Sequence, residues 1–426
     1  MSVSNTIQAS LKNRITLHED WVVVLLGFFI IGISLMGFQL SNPSYSWASS
    51  NELFNNVLTI NNFARIGLQF VITIILAAVA AYLTNKPVLP AIKVFPLIYI
   101  ITIIALILSG NSQIKALNLE SVIFSLSIGL VIGNLFNLPE WIKSSLNAEL
   151  FVKIGLVLLG TSVIFGDVLK AGSLGLIQSL VVVLSVWYFA FWLCRKFKLD
   201  NELTMMISSA VSICGVSAAI ATAGAIKGDS KKLSYVISLV LITAIPMMIF
   251  MPYIANYFNF PEEVTGAWLG GSIDTTGAVV ASGSLVGETA LKISTIVKFS
   301  QNVLLGIAAF AISIYWTLSN KVPSEGEVTK PTLGLIWERF PKFVLGFVVA
   351  SLLFSFVINP SVINDVKPGL KSMQGLWFVL AFTSIGLETK FSDLFNANSK
   401  KPLYAFLLAQ LFNIVITLII AFILFN

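Results

Sequence analysis

Asp274 and Lys298 are the two charges set deepest in apolar sequence, and the chemistry open to this chain turns on them. Asp274 falls in the middle of WLGGSIDTTGAVVASGSLVGE, a run apolar enough to enter a bilayer. A carboxylate at midplane costs at least about 2.5–3.5 kcal/mol on insertion scales, so it has a partner or a task. The tasks open to it are carrying a proton, ligating a coupling cation, or locking the fold as half of an ion pair. Lys298 lies roughly 12 Å into the span that begins at Ala290, at 1.5 Å per residue, too deep to snorkel to the surface. It is the expected partner of Asp274 and the expected fixed positive charge for an anion. Asn302 shares its helix face at i+4. Ser212, Cys214, Gly215, Ser217, Ser272, Thr275 and Thr276 surround the two breaks with hydroxyls, a thiol and open backbone amides. Cys214 reads mainly as a small apolar filler.

Two interrupted apolar stretches must position these groups, 204–226 and 264–288. Ser212-Ile213-Cys214 meets Ser272-Ile273-Asp274 when one is laid over the other, and after a one-residue slip Gly228-Asp229 meets Gly287-Glu288. Small residues of this kind also serve simply to let membrane helices pack closely. A matched pair of Gly-interrupted segments, however, points to a transporter binding site. Backbone freed at such breaks survives at membrane depth only when it is buried in protein or lines a cavity. Hairpin arms meeting tip to tip would aim helix N-termini at one cavity, a ready anion site.

The whole composition agrees with a membrane setting. The chain has 426 residues, 57% hydrophobic and only 11% charged, against roughly 25% charged for soluble domains. Runs near the length a helix needs to cross lipid recur throughout, at 21–40, 63–83, 96–109, 119–136, 149–166, 174–194, 234–257, 290–318, 343–358, 374–387 and 402–425. The expected fold is therefore all-α and polytopic, with about 11 transmembrane helices plus two opposed re-entrant hairpins in inverted repeats. Residues 1–20 read as a cytoplasmic tail and 21–118 as scaffold helices. The first repeat region is 119–257 and the second 262–426. A second pairing, Gly160, Phe165 and Asp167 with Gly386, Phe391 and Asp393, supports the repeat.

The formal charge of +6 is spread over short loops, so it is read by the positive-inside rule, and no nucleic-acid partner is expected. The single histidine, His18, lies in the tail, which excludes an intramembrane Ser/His/Asp triad or histidine metal site. No P-loop, dinucleotide fingerprint or cofactor motif is present. Arg195, Lys196 and Lys198 precede the first stretch, and Lys227, Lys231 and Lys232 follow it. Positive charge at both ends favours a hairpin entering from the cytoplasm. Glu262, Glu263 and Glu288 flank the second, which suits entry from outside.

SSAVSICGVSAAIATAGAIK, WLGGSIDTTGAVVASGSLVGE, IVKFSQNVLLG and KIGLVLLGTSVIFGDVL together resemble the YeiH-type sulfate exporter family over roughly Glu120 to Tyr315. The resemblance implies a secondary transporter related to the cation/proton antiporter and anion transporter group. Many members carry His-Glu where this chain has Asp274-Thr275, so a histidine-based mechanism is not carried over. The expected function is secondary transport of a small anion, a sulfate-like oxyanion or organosulfonate, across a bacterial inner membrane. Lys298, the hydroxyls and the hairpin amides would hold the anion, and Asp274 a proton or sodium ion. Self-association into a homo-oligomer is left open. A passive anion channel is the alternative. An intramembrane enzyme, built on Lys298 with Ser217 or Cys214, is the remote one, and no enzymatic activity is expected.

The topology predicts that Lys198 and Lys231 share the cytoplasmic face. Lys198→Cys and Lys231→Cys, each in a chain with Cys194 and Cys214 replaced by alanine, should resist impermeant thiol reagents in intact cells and react after permeabilisation. Labelling of position 231 from outside would replace the hairpin by a crossing helix.

Overall fold

A computed structural model describes residues 17–38, 40, 42–116, 120–319, 337, 340–389 and 400–426. Their helices longer than ten residues are, in chain order, α1 Glu19–Leu35, α2 Ile60–Leu83, α3 Val88–Ser109, α4 Ser121–Leu135 and α5 Ala148–Leu159. Next come α6 Phe165–Lys196, α7 Asn201–Ser212, α8 Val216–Ile226, α9 Ser230–Tyr257, α10 Glu262–Ser272 and α11 Thr276–Val286. The last are α12 Glu288–Ser319, α13 Lys342–Leu352, α14 Pro360–Glu388 and α15 Lys401–Phe425. No strand occurs among the described residues, whose one β-contact is an isolated bridge between Trp47 and Asn111.

Seven of these helices, α2, α3, α6, α9, α12, α14 and α15, are long and apolar enough to cross a membrane. The chain is an all-helical, polytopic membrane protein. Of the eleven expected spans, those at 21–40, 119–136, 149–166 and 343–358 correspond, among the described residues, to the shorter helices α1, α4, α5 and α13. The 149–166 span ends as α5 at Leu159, passes a 3-10 turn at Gly160–Ser162, and restarts as α6. Pro96, taken as a start, lies inside α3. The 343–358 span is α13 continued by a π-helical turn, Leu353–Val357.

The chain forms two compact units, one of residues 1–162 and 342–388, the other of 163–341 and 389–426. This cuts across the sequential division into 21–118, 119–257 and 262–426, and glycine contacts explain why. In the first unit a Cβ at Gly129 of α4 would meet the Thr383 carbonyl at 2.6 Å, and one at Gly386 of α14 would meet the Leu126 carbonyl at 2.5 Å. Backbones this close hold 121–135 against 360–388, whatever the sequence separation. Phe391 and Asp393, which completed the Gly386 pairing, lie outside the described residues.

One end of the first unit is held by charge. The Lys153 ammonium lies 3.0 Å from Glu19 Oε1, 3.0 Å from Asp20 Oδ1 and 3.6 Å from Glu149 Oε2. Asp20 accepts the Lys342 amide at 2.9 Å, which caps α13, and Lys86 reaches Glu19 at 3.1 Å. Asp20 is 5% exposed, and the Lys153 ammonium and Lys342 amide supply its hydrogen-bond and charge partners.

In the second unit both interrupted stretches are re-entrant hairpins. The Asp229 amide, just after α8, donates to Glu202 Oε2 at the start of α7 at 3.1 Å. Lys232 pairs with Asp200 at 2.9 Å and Glu202 at 3.2 Å. The end of the first stretch thus returns to its beginning. Asp229 also caps α9 by accepting the Lys231 and Lys232 amides, which hold its carboxyl below the usual aspartate value. At the second hairpin, a Cβ at Gly287 would lie 3.0 Å from the Glu262 carboxylate, so α11 ends where α10 begins. The 28-residue α9 joins the two bases and spans about 42 Å at 1.5 Å per residue. The hairpins therefore enter from opposite ends, as the inverted repeat requires. Each arm measures roughly 17 Å, about half the hydrocarbon thickness, and the tips meet.

Replacing Lys153 by methionine removes the common partner of buried Asp20 and half-buried Glu19. Lys153→Met should lower unfolding stability by about 3–5 kcal/mol. The Lys143–Glu140 pair, whose glutamate side chain is 86% exposed, should contribute under about 1 kcal/mol when Lys143→Ala removes it. Denaturant titration in detergent compares the two. Equal effects would mean that the Lys153 cluster is solvated.

Candidate functional site

The tip of the first hairpin is Ile213-Cys214-Gly215 and that of the second is Ile273-Asp274-Thr275. Gly215 adopts φ +58° and ψ −106°, a conformation that side chains resist. A Cβ there would lie 2.5 Å from Val240 and 3.0 Å from both Cβ and O of Asp274. Only glycine lets the tips touch.

Each tip presents the carbonyl end of one arm and the amide end of the other. The carbonyl ends belong to α7 and α10, and side chains from outside the hairpins hold them. The Lys298 ammonium donates to Ile213 O at 3.0 Å, Ile273 O at 2.8 Å and Gln301 Oε1 at 2.7 Å. Gln301 Nε2 donates to Ser212 O at 2.9 Å and Gly271 O at 3.3 Å. From α15, Gln410 Nε2 donates to Ser272 O at 2.8 Å, and Asn413 Nδ2 to Val211 O at 3.0 Å and Ser272 O at 3.2 Å. Each helix C-terminus carries about half a negative charge, so one ammonium offsets the two. Lys298 sits ten residues after Glu288, about 15 Å along α12, level with the tips.

This corrects the role expected of Lys298. It is 1% exposed, and all three of its protons are used on protein acceptors, none of them Asp274. No ion pair of contact length joins the two residues, and Lys298 does not reach an open face to bind an anion. The reason lies in the backbone: two unwound carbonyls at this depth claim the cation first.

Ser212 and Ser272 are likewise occupied. Their hydroxyls donate to Ser208 O and Trp268 O, both at 2.7 Å, within their own helices. Cys214 is buried in the tip. The amide ends of α8 and α11 have a different setting. Ser217, in the first turn of α8, is exposed, while Thr275 and Thr276 are half-buried. Thr275 caps α11 by accepting the Ala278 amide at 3.3 Å, and Thr276 accepts from Asn302 Nδ2 at 3.4 Å. The structure thus brings Gly215, Thr275, Thr276 and Asn302 to the amide side with Ser217, and sets Ser212, Ser272 and Lys298 on the carbonyl side.

Asp274 stands immediately before the N-cap of α11 and against the N-cap of α8. It is 1% exposed, and its Oδ2 has no hydrogen-bond partner. Gln410 Oε1 and Asn302 Oδ1 are also buried acceptors without donors, and the Gln410 amide lies beside the Asp274 carboxylate. Buried polar atoms are nearly always satisfied, so three orphan acceptors at one junction call for an explanation.

Gln301, Gln410 and Asn413 were not among the residues singled out in the sequence. Gln301 follows Lys298 by one turn inside the quoted IVKFSQN string. Gln410, Asn413 and Thr417 recur at i, i+3 and i+7 in an otherwise apolar helix, the signature of a polar stripe facing protein.

Lys298→Met leaves three buried acceptors without their donor, and should destabilise the protein by about 3 kcal/mol or more, at 1–3 kcal/mol per orphaned group. Adding Asp274→Asn should not restore it, because the freed acceptors are two carbonyls and an amide. Recovery of stability in the double variant, measured by thermal unfolding, would establish the ion pair instead.

No solved structure matches the chain. It is 39% identical over 368 residues to a UPF0324 membrane protein of Rhodopirellula baltica, covering 84% of this chain and 67% of that one. A UPF0324 membrane protein of Nitratidesulfovibrio vulgaris is 38% identical over 340 residues, covering 77% and 58%. One from Nitrosomonas europaea is 32% identical over 320 residues, covering 67% and 65%. The chain thus spans between roughly half and two thirds of these relatives' lengths. The family described as Conserved hypothetical protein 698 matches residues 93–405, which take in both hairpins, Lys298 and the start of α15, and the chain belongs to it.

Proposed function

We propose that this protein is a secondary transporter that moves a small anion across a bacterial inner membrane together with a proton or sodium ion at Asp274. The observation that carries the reading is the sorting of helix ends at the junction of the hairpins. Side-chain donors take up the carbonyl ends, whereas the amide ends of α8 and α11 lie beside accessible hydroxyls. Two helix N-termini together carry about one positive charge, and such ends bind anions through their amides. Ser217, Thr275 and Thr276 add hydroxyls, and Lys298 acts at one remove by cancelling the opposing helix ends. The sulfate-like or organosulfonate class rests on the motif resemblance to YeiH-type exporters.

Asp274 supplies the coupling. Ionised, it places its own negative charge at the two amide ends and competes with an anion there. Protonated, it withdraws that charge from the two amide ends. The nearby carbonyls are already occupied by Lys298, Gln301, Gln410 and Asn413, which leaves few oxygens to ligate sodium and favours the proton. Cation and anion would then bind together and cross together.

Flux into proteoliposomes under separate pH and sodium gradients, with sulfate and organosulfonates as probes, tests this. Wild-type protein should accumulate one of these anions against its gradient, with binding that strengthens as pH falls. Asp274→Asn should bind it at all pH values without accumulation. Accumulation by the Asn variant would move the coupling site elsewhere. Wild-type flux that only runs downhill would make the protein a channel.

A further inference from the structure

We infer that the anion site at the hairpin junction takes an organosulfonate carrying its own hydrogen-bond donor, a hydroxyl or an ammonium, and that Asn302 recognises this donor. The place of the anion, at the amide ends of α8 and α11, is that of the transport reading, on which this rests. The groups around it are nearly all donors. The N-cap of α8 is Gly215, which makes no side-chain cap, so the first amides of that helix stay open. Ser217, Thr275 and Thr276 bring hydroxyls to the same side.

Asn302 breaks this pattern. Its Nδ2 donates to Thr276 Oγ1, in the first turn of α11, at 3.4 Å, which sets the side chain at that helix end. The residue is 7% exposed, and its Oδ1 is a buried acceptor with no partner. Further along α12, Leu305 and Ala309 share an apolar cluster with Ala218 and Ala221 of α8. The helix therefore carries Asn302 past the start of both short helices.

Fastening does not account for this residue. Gln301, its neighbour in sequence, accepts from Lys298 and donates to Ser212 O and Gly271 O, so its amide is fully used. Asn302 makes one long hydrogen bond. Asp274 Oδ2 is the place of the coupling ion, and the Gln410 amide adjoins that carboxylate, whereas Asn302 is tied to Thr276 instead. A buried amide oxygen without a donor is costly and rare, which points to a donor on the ligand.

Sulfate is fully ionised at neutral pH and has only acceptor oxygens, so it would set an acceptor against Asn302 Oδ1. A short organosulfonate can give its sulfonate to the amides and hydroxyls while its own hydroxyl or ammonium reaches Asn302. A site that pairs a buried polar group with a substrate hydrogen rejects the analogue lacking it, because the group is then left unpaired.

The test is calorimetric titration of the full chain in detergent with sulfate, ethanesulfonate, hydroxyethanesulfonate and aminoethanesulfonate. Wild type should bind one of the last two at least about tenfold more tightly than either of the others. Which one binds tells hydroxyl from ammonium. Asn302→Leu, similar in size but without polar atoms, should bring that anion to near parity with ethanesulfonate. It should unfold close to the wild-type temperature, since it gives up a single long hydrogen bond. Equal binding of the three sulfonates by wild type overturns the inference and leaves the anion site standing. Binding of none of the four anions removes the transport reading as well. A preference that survives in Asn302→Leu, or a variant that does not fold, overturns the role of Asn302, and the wild-type series decides the ligand class by itself.

Discussion

The constraint on which the second unit depends is the need to satisfy a polypeptide backbone that unwinds halfway through a membrane. A helix that stops at midplane exposes carbonyls that water cannot reach, and each costs several kcal/mol if left alone. The chain meets this with side chains carried by continuous helices. Lys298 and Gln301 on α12, with Gln410 and Asn413 on α15, donate to six carbonyl oxygens of the two tips and arms. Two long helices thereby fix two short hairpins that could not hold their own ends.

This solution is one-sided, and the one-sidedness gives the junction its polarity. A re-entrant hairpin puts one helix C-terminus and one N-terminus at the same depth, and two opposed hairpins double both. A continuous helix offers neither. Amide and ammonium donors can neutralise only the carbonyl ends, so the amide ends keep their positive potential. Gly215 sharpens the effect by bringing the tips into contact with Asp274 between them. Any anion at the junction, whether a substrate or the Asp274 carboxylate, feels both N-termini together.

Much of this arrangement was legible in the sequence. The basic flanks of 204–226 and the acidic flanks of 264–288 pointed to two hairpins, and each stretch does return to its own start. The depth of Asp274 and Lys298 followed from counting along helices. Their pairing did not, because a sequence displays side-chain charges and hides the carbonyls of Ile213 and Ile273, which are what Lys298 binds. Gln410 and Asn413 carried a readable i, i+3 signal, yet nothing in α15 names the distant helix ends they serve. The division into units was equally hidden. It depends on Gly129 meeting Gly386, a contact that neither glycine announces.

Half-buried Lys153 and buried Lys298 show what separates a fastening from a site. Lys153 has carboxylates at 3.0, 3.0 and 3.6 Å, and together they tie α1 and α5 at one end of the first unit. Such a carboxylate gives up its partner only at the cost of a buried uncompensated charge. Lys298 is anchored to neutral acceptors, so none of its three hydrogen bonds uses Asp274 as the partner. An Asp274–Lys298 ion pair of contact length would instead have made the carboxylate part of the fastening. In the structure the two are separated by the Ile273 carbonyl, which Lys298 binds, and Asp274 Oδ2 is left without a partner.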